Sequence, residues 1–554
     1  MKILTDVLDG AADYSEHTEQ RVLTAFVNKD KYSVIPYEHI RYVALRLASA
    51  LKECGVEKGS YVIFQIIDIP RYVYSFWACQ YLGAVPVPLP VMNKKGDEIE
   101  SIVKLKNIYE ILSHSFILCE NENIELCKNI VGQKEDRILH SNVLIRKANH
   151  YKPYSERNVT EEDIAMIQFS SGSTSTPKGV ILRHKNIIKN MEQINERLEL
   201  EGTQNCASWM PLTHDMGMIA FHLMPLKYYS NSSLFQPDLF LRNPLNFLKH
   251  VAETKAEFVG FTNSILELYL KLANPLVLKG LDLSHLRCIL NGAEPINCAS
   301  ADKFMEVFGA YGLPKKSMCF CYGMAEASLV IAITAVNETD RVMLDTKELV
   351  YGKINCKSGE LSAVPQVGRP MIDLDVVILS KDGETKKEDI IGEICIKGEN
   401  VTEGYINTEG TALFTNTGYL RTGDKGFLHE GRLAVTGRIK DIIFKNGANY
   451  YSHDLERIVY SVIPELQGRC AVAQICKQGK EEKLALFLLT TEEKTILELK
   501  KKINGEMLKR LGFSFEAYVL TDEFPRTSSG KIQRFMLVKA FEEENYKDMG
   551  GYYV

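Results

Sequence analysis

The chain is 554 residues long, 45% hydrophobic and 25% charged, with a formal net charge of -5. That length exceeds one ordinary core and implies about two to four domains or subdomains. The balance of charge gives no global pull toward nucleic acid or anionic membrane. No apolar run approaches the roughly 18 residues that would read as a membrane span. Met1-Lys2-Ile3-Leu4-Thr5-Asp6 turns polar and acidic too soon for a secretory signal. The 13 cysteines are scattered, with a lone C-x-C at Cys319 and Cys321. This usage favours buried thiols and a cytoplasmic location over a metal site or a disulfide framework.

The first half alternates helix and strand signals. Ile40, Val43, Leu47 and Leu51 fall on one helical face, with Gly55 as a stop. Tyr61-Val62-Ile63-Phe64 reads as a buried strand, and a helix over 71–82 ends by Gly83. Val85-Pro86-Val87-Pro88-Leu89-Pro90 must be extended, because each proline disfavours helix at the residue before it. Ile164-Ala165-Met166-Ile167 and Val180-Ile181-Leu182 read as strands joined by a polar loop. Ile187, Met191, Ile194 and Leu198 then mark another helix. The alternation predicts an α/β fold of mostly parallel sheets covered by helices. Ligands of such sheets sit at the carboxyl ends of strands. From Leu374 onward, short strand-like runs (376–379 and 393–396) alternate with glycine turns, which predicts a small β-rich subdomain. After Arg438 an α+β unit follows, with strands over 471–475 and 484–489. A helix there carries Ile496, Leu499, Ile503 and Met507 on one face.

The polar loop is Ser170-Ser171-Gly172-Ser173-Thr174-Ser175-Thr176-Pro177-Lys178-Gly179. Glycines let backbone N–H groups approach a polyphosphate, hydroxyls add donors, and a lysine adds charge. The common phosphate loop needs Gly-x4-Gly-Lys-Ser/Thr and a following helix, whereas this loop joins two strands. Composition alone leaves a surface turn and a phosphate loop both open. The same holds for three later segments taken singly. Tyr322-Gly323-Met324-Ala325-Glu326 reads as a helix N-cap region. Tyr419-Leu420-Arg421-Thr422-Gly423-Asp424 and Thr436-Gly437-Arg438-Ile439-Lys440-Asp441 read as turns with ion pairs. Phe524-Pro525-Arg526-Thr527-Ser528-Ser529-Gly530-Lys531 reads as a polar surface loop.

Together and in this order, these segments resemble the adenylate-forming superfamily of acyl-CoA synthetases, peptide-synthetase adenylation domains and luciferases. Trp209-Met210-Pro211-Leu212-Thr213-His214-Asp215-Met216-Gly217 and Asn291-Gly292-Ala293-Glu294-Pro295 narrow the resemblance to the fatty acyl-AMP ligases. So does Ala327-Ser328-Leu329 after Glu326. The resemblance implies an N-terminal adenylation domain over 1–437, a hinge at 438–441 containing Lys440 and Asp441, and a mobile C-terminal domain over 442–554. The larger domain would comprise two sheet-helix subdomains and the small β-rich subdomain. Residues 342–355 would supply the extra segment that such ligases carry between Glu326 and Gly368, which in that family restrains the rotation needed for CoA chemistry.

The resemblance further implies ATP and Mg²⁺ as cofactors. Ser170, Ser171, Gly172, Ser173, Thr174 and Lys178 would hold the β- and γ-phosphates, and Glu326 the Mg²⁺. Gly292, Ala293, Glu294 and Tyr322, with Gly323, Met324 and Ala325 beside them, would line the adenine slot. Asp424 would accept from the ribose hydroxyls, Arg438 would reach the ribose or a phosphate, and Lys531 would bridge acyl carboxylate and α-phosphate. His214 would sit between the acyl tunnel and the phosphates, or serve structure alone. Ser175 replaces a common glycine, and Ala325 replaces a common threonine. The segment Gly260-Phe261-Thr262-Asn263-Ser264-Ile265-Leu266 lacks the long-chain ligase pattern, which leaves a medium-chain, functionalised or aromatic acid open. The acyl group would pass to an acyl or peptidyl carrier protein in trans. The alternatives are an acyl- or aryl-CoA synthetase and a catalytically silent adenylate-binding protein.

Overall fold

The computed structural model describes residues 1–28, 31–91, 98–132, 134–170, 177–202, 204–335, 341–345, 354, 361–380, 383, 385–386, 388–406, 413–445, 448–475, 483–489, 496–526 and 532–542. Contacts divide the chain into two compact units. The first comprises Met1–Asp340, Gln366–Val376 and Ile396–Leu420; the second comprises Arg341–Pro365, Val377–Cys395 and Arg421–Val554. The expected hinge at 438–441 falls inside the second unit.

In the first unit, the helix Tyr37–Glu53 buries Ile40, Val43, Leu47 and Leu51 on one face, as their spacing requires. The helix Ile69–Leu82 starts where the Asp68 side chain accepts from Arg71 N at 3.0 Å, and it ends at Gly83. It is buried along most of its length. The strands Val85–Pro88, Tyr61–Gln65, Phe116–Cys119 and Ile138–His140 form a four-stranded parallel sheet in that order. Pro86 and Pro88 are tolerated because their strand lies at the sheet edge, where missing N–H groups break no ladder.

A second sheet has nine strands. Its order is Arg369–Pro370, Val330–Ile333, Met318–Gly323, Cys288–Asn291, Phe258–Gly260, Asn205–Ser208, Asn231–Phe235, Val22–Asn28 and Lys31–Pro36. The six strands from Met318–Gly323 to Val22–Asn28 are mutually parallel, and antiparallel strands close both sides. Parallel strands are covered on both faces, which accords with the apolar Cys288–Asn291 and Phe258–Gly260 strands at the sheet centre. The polar loop joins Ile164–Ser170 to Lys178–Arg183 in a separate antiparallel pair, as the sequence suggests.

Two histidines of this unit, His184 and His222, are buried, and a third, His250, is half-buried. His184 Nδ1 accepts from Leu4 N at 3.1 Å, His222 Nε2 accepts from Trp77 Nε1 at 3.0 Å, and His250 Nε2 lies 2.9 Å from Ser233 Oγ. Burial pulls their pKa values down to about 4, about 3 and about 4. An unfolded histidine titrates near 6.5, so between about pH 6.5 and 4 the unfolded chain binds more protons than the folded one. The stability present above about pH 6.5 is lost on acidification, by about 1.4 kcal/mol per pH unit for each histidine. Urea midpoints are expected to fall between about pH 7 and pH 5. Unchanged midpoints over that range would contradict the neutral burial.

In the second unit, strands Arg341–Asp345 and Leu361–Pro365 pair antiparallel. Val342 and Leu344 of the first strand pack with Phe427 and Ala434 of the hairpin Leu420–His429/Arg432–Arg438. Residues 346–353 of the expected extra segment lie outside the described residues, as does 355. Further on, Cys470–Ile475, Lys483–Leu489 and Ala517–Thr521 form a three-stranded sheet. Leu484, Leu486 and Leu488 face the helices Ser452–Val462 and Ile496–Leu511, while Ala485 and Phe487 face the helix Arg534–Glu542. The period-two alternation thus buries both faces of the sheet.

Among the described residues no helix is long and apolar enough to cross a membrane. None of the described cysteines forms a disulfide, and all but Cys54 are buried.

Candidate active site

The loop that opened the question begins where Ser170 pairs with Lys178 across the hairpin. Residues 171–176, which include Ser171, Gly172, Ser173, Thr174 and Ser175, lie outside the described residues, as does the side chain of Ser170. Lys178 is exposed, and its Nζ stands 5.0 Å from the centroid of the Tyr405 ring. Tyr405 is placed there by the segment 402–406, which lines the Lys178–Arg183 strand. Val180 and Tyr405 form an antiparallel bridge. Ile181 N donates to Gly404 O at 3.1 Å and Ile406 N to Gly179 O at 2.8 Å.

The same segment holds Glu326. The strand Met318–Gly323 leads through Met324 into a single 3₁₀ turn, Ala325–Ala327, rather than into a longer helix. Glu326 is buried, and its Oε1 accepts from Tyr405 Oη at 2.7 Å. Thr402 N donates to the Glu326 carbonyl at 2.8 Å. Ser328, just past the turn, has φ +66°. Such a conformation costs a β-carbon residue about 1–3 kcal/mol and persists only where neighbours fix it. Here Asn190 Oδ1 accepts from Leu329 N and Val330 N, Ser328 Oγ donates to Asn400 O, and Asn400 Nδ2 donates to Ala327 O. A buried carboxylate whose position is this fully determined suits Mg²⁺. That ion takes one or two carboxylates and completes its shell with water and phosphate oxygens. Among the described residues, no group of three or more His, Cys, Asp or Glu could hold a metal by itself.

His214 is half-buried, and its Nδ1 lies 2.6 Å from Asp215 Oδ1. Asp215 Oδ1 also accepts from Met216 N at 2.7 Å, opening the π-helical stretch Met216–Leu223. Irregular turns of that kind recur at functional sites. The segment is pinned from three sides. Tyr72 Oη donates to Leu212 O, Trp209 Nε1 to Gly260 O, and Gln168 Nε2 to Thr213 O. A Cβ on Gly217 would lie 2.2 Å from Pro211 O, so only glycine permits this approach. Gln168 sits two residues before Ser170 and thereby ties the hairpin that carries the loop to the histidine segment. Its Oε1 is buried without a partner among the described residues.

On the expected adenine side, Gly292 abuts the Met318–Gly323 strand. A Cβ there would lie 2.3 Å from Cys321 Sγ. Burial pushes the Cys321 thiol up, and the charges of Cys319 and then Asp215 add to that. Ala293 has φ +66°. Tyr322 and Met324 are half-buried, Gly323 is exposed and Ala325 is buried. The Glu294 carboxylate accepts from Ser264 N and, at 2.7 Å, from Ser264 Oγ, at the start of the helix Asn263–Leu272. A carboxylate at a helix N-terminus is stabilised by the unpaired N–H groups there. Both amide atoms of Asn291 are buried without a partner among the described residues.

In the second unit, Asp424 and Arg438 face each other across the hairpin, with Arg438 Nε 3.2 Å from Asp424 Oδ1. Asp424 is buried and Arg438 exposed. Arg421 donates to Glu393 Oε2 at 2.9 and 2.6 Å, and Glu393 Oε1 accepts from Gly423 N, so Glu393 braces the strand Leu420–His429 that presents Asp424, where the sequence reads as a turn. The 3₁₀ turn Ile439–Asp441 follows Arg438; the side chain of Lys440 is outside the described residues. Lys531 also lies outside them, but both flanks of its loop are fixed. Arg526 and Ile532 form an antiparallel bridge, and Gln533 N donates to Pro525 O at 2.8 Å. Arg534 then donates to the buried Glu456, from Nε at 3.1 Å and from one terminal nitrogen at 2.7 and 2.8 Å. Sequence reasoning missed Tyr405, Gln168, Glu393 and Glu456, because nothing in their local spacing separates them from ordinary strand and helix residues.

Residues 15–406 match the family model described as AMP-binding enzyme. The chain belongs to that family. Among its relatives, the 4-hydroxyphenylalkanoate adenylyltransferase of Mycobacterium tuberculosis is 28% identical, over 85% of this chain and 80% of its own length. The long-chain-fatty-acid–AMP ligase FadD26 of the same organism is 26% identical, over 90% of each chain. A solved structure from work on fatty acyl-adenylate ligases of E. coli and L. pneumophila superposes with a TM-score of 0.89. It is 26% identical and is covered over 99% of each chain.

Proposed function

We propose that this enzyme joins a carboxylic acid to the α-phosphate of ATP, releasing pyrophosphate, and passes the acyl group to the phosphopantetheine thiol of an acyl or peptidyl carrier protein in trans. The observation that carries the reading is that the loop's Lys178 and the buried carboxylate of Glu326 stand on either side of one side chain, Tyr405. A cation and a metal-competent carboxylate so placed suit the leaving pyrophosphate and its Mg²⁺. The named relatives, an adenylyltransferase and an acid–AMP ligase, support the same chemistry.

In the first step a carboxylate oxygen bonds to the α-phosphorus as the bond to the pyrophosphate oxygen breaks. Two anions must meet, so the site supplies cations and oriented donors. Ser170, Ser171, Gly172, Ser173, Thr174 and Lys178 would hold the departing phosphates, and Glu326 would hold the Mg²⁺, which would supply positive charge to the leaving pyrophosphate. Asp424 would accept from the ribose hydroxyls, with Arg438 beside it. Gly292, Ala293, Glu294 and Tyr322 would border the adenine, with the Glu294 carboxylate held by Ser264 at the start of the Asn263–Leu272 helix. Lys531, carried on a C-terminal domain that swings about Lys440 and Asp441, would bridge the reacting anions. His214 needs no base role, since a carboxylic acid is already ionised near neutral pH. In the second step the thiol sulfur bonds to the acyl carbon and AMP leaves. Buried thiols outside any disulfide accord with a cytoplasmic location.

The test is a panel of medium-chain, long-chain, functionalised and aromatic acids with ATP, read as pyrophosphate release, then repeated with CoA and with a phosphopantetheinylated carrier. Acyl-AMP that only the carrier consumes is the expected result. Efficient acyl-CoA formation would replace carrier loading with CoA ligation, and no release with any acid would remove the adenylation reading itself.

A further inference from the structure

We propose that Tyr405 is a positioning residue of the nucleotide site, holding the metal carboxylate of Glu326 and the phosphate-loop Lys178 in register through its two chemically different ends. The proposal rests on the adenylation reading above and assigns a residue that neither the loop nor the glutamate motif contains.

The hydroxyl end acts on Glu326. A phenol donating at 2.7 Å to Oε1 fixes the carboxylate rotamer. A hydrogen bond to a charged group is among the stronger kinds, more so for an acceptor that is buried. The ring end acts on Lys178. Its ammonium lies 5.0 Å from the ring centroid, inside the roughly 6 Å range of cation–π attraction. The backbone explains why one residue reaches both. Tyr405 bridges Val180, two residues along the strand from Lys178, so the side chains meet as a diagonal cross-strand pair. Three residues earlier, Thr402 N holds the Glu326 carbonyl, and Thr402 Oγ1 donates to Ile181 O at 2.6 Å and Gly404 O at 2.9 Å. The segment 402–406 is therefore tied to both the loop strand and the glutamate turn, and Tyr405 is where the two ties meet in a side chain.

The experiment uses the full-length enzyme with Mn²⁺ in place of Mg²⁺, so that bound metal is read by electron paramagnetic resonance in the presence of ATP and without acid. Tyr405→Phe keeps the ring and the backbone bridge. It is expected to raise the half-saturating Mn²⁺ about tenfold, the worth of one hydrogen bond to a charged group, while KM for the acid stays unchanged. Tyr405→Leu removes the ring as well and is expected to add a several-fold rise in KM for ATP, the size of one cation–π contact. Wild-type Mn²⁺ half-saturation in Tyr405→Phe would overturn the proposal. So would a loss of thermal stability in both variants with no change in metal or ATP dependence. The two readings fail separately. A wild-type enzyme that binds Mn²⁺ and ATP but releases no pyrophosphate with any acid defeats adenylation, whereas an active wild type with an indifferent Tyr405→Phe defeats only the role of Tyr405.

Discussion

Lys531→Ala is expected to lower acid-dependent pyrophosphate release about a thousandfold while leaving ATP affinity nearly intact. An ammonium about 4 Å from developing negative charge is worth roughly 4 kcal/mol at an effective dielectric near 20, and that energy corresponds to about three decades in rate. ATP itself would be held by contacts on other residues, so equilibrium binding should change little. The Arg526–Ile532 bridge and the Gln533 N to Pro525 O bond close the chain on either side of 527–531. Pyrophosphate exchange and ATP binding, measured on the same preparation, check the prediction. Near-normal exchange in the variant would remove Lys531 from the mechanism and return Lys178 to consideration.

Glu456→Ala is expected to destabilise the second unit by about 3–5 kcal/mol, because it strands the guanidinium of Arg534 without its buried partner. Burial pushes the Glu456 carboxyl above the usual carboxylate range, and Arg534 pulls it back. Glu456 Oε1 also accepts from Val472 N at 2.8 Å, so the substitution removes a ligand from the Cys470–Ile475 strand as well. Replacing both partners by apolar residues, Glu456→Leu with Arg534→Met, should recover much of the loss, since an intact buried pair repays little more than its own desolvation. The two tryptophans of the chain, Trp77 and Trp209, both belong to the first unit and will not report this change. Hydrogen exchange of Cys470–Ile475 and Lys483–Leu489 will. Unchanged protection in Glu456→Ala would mean that the ion pair contributes nothing to that sheet. Arg534 stands three residues after Lys531, so weaker exchange protection here should accompany slower pyrophosphate release, whereas the double replacement should restore both.

Much of the fold was legible because apolar spacing is local. Ile40, Val43, Leu47 and Leu51 fell on one buried face as read, and Val85–Pro88 proved extended because proline leaves little choice. The hairpin reading of 164–182 also held, since two apolar runs flanking a Ser/Thr/Gly/Pro stretch have few other solutions. The Tyr322–Glu326 segment was less legible. Its N-cap reading gave way to a strand end and a single 3₁₀ turn, because Asn190, Asn400 and Thr402 from distant positions hold that backbone.

The sequence by itself determined the periodic elements, the hydroxyl- and glycine-rich loop, and the ordered motifs that mark an AMP-binding enzyme. Each depends on residues close together in the chain. Only the tertiary structure decided which partners those residues keep. Glu294, expected at the adenine, stabilises the start of a helix through Ser264; Arg421, read as one of two arginines paired with aspartates, braces Glu393; and Tyr405, unmarked in sequence, joins Lys178 to Glu326. The physical reason is that hydrogen bonds and ion pairs are short-ranged and directional. They are settled here by residues 28 to 227 positions apart, which chain-local spacing cannot foresee.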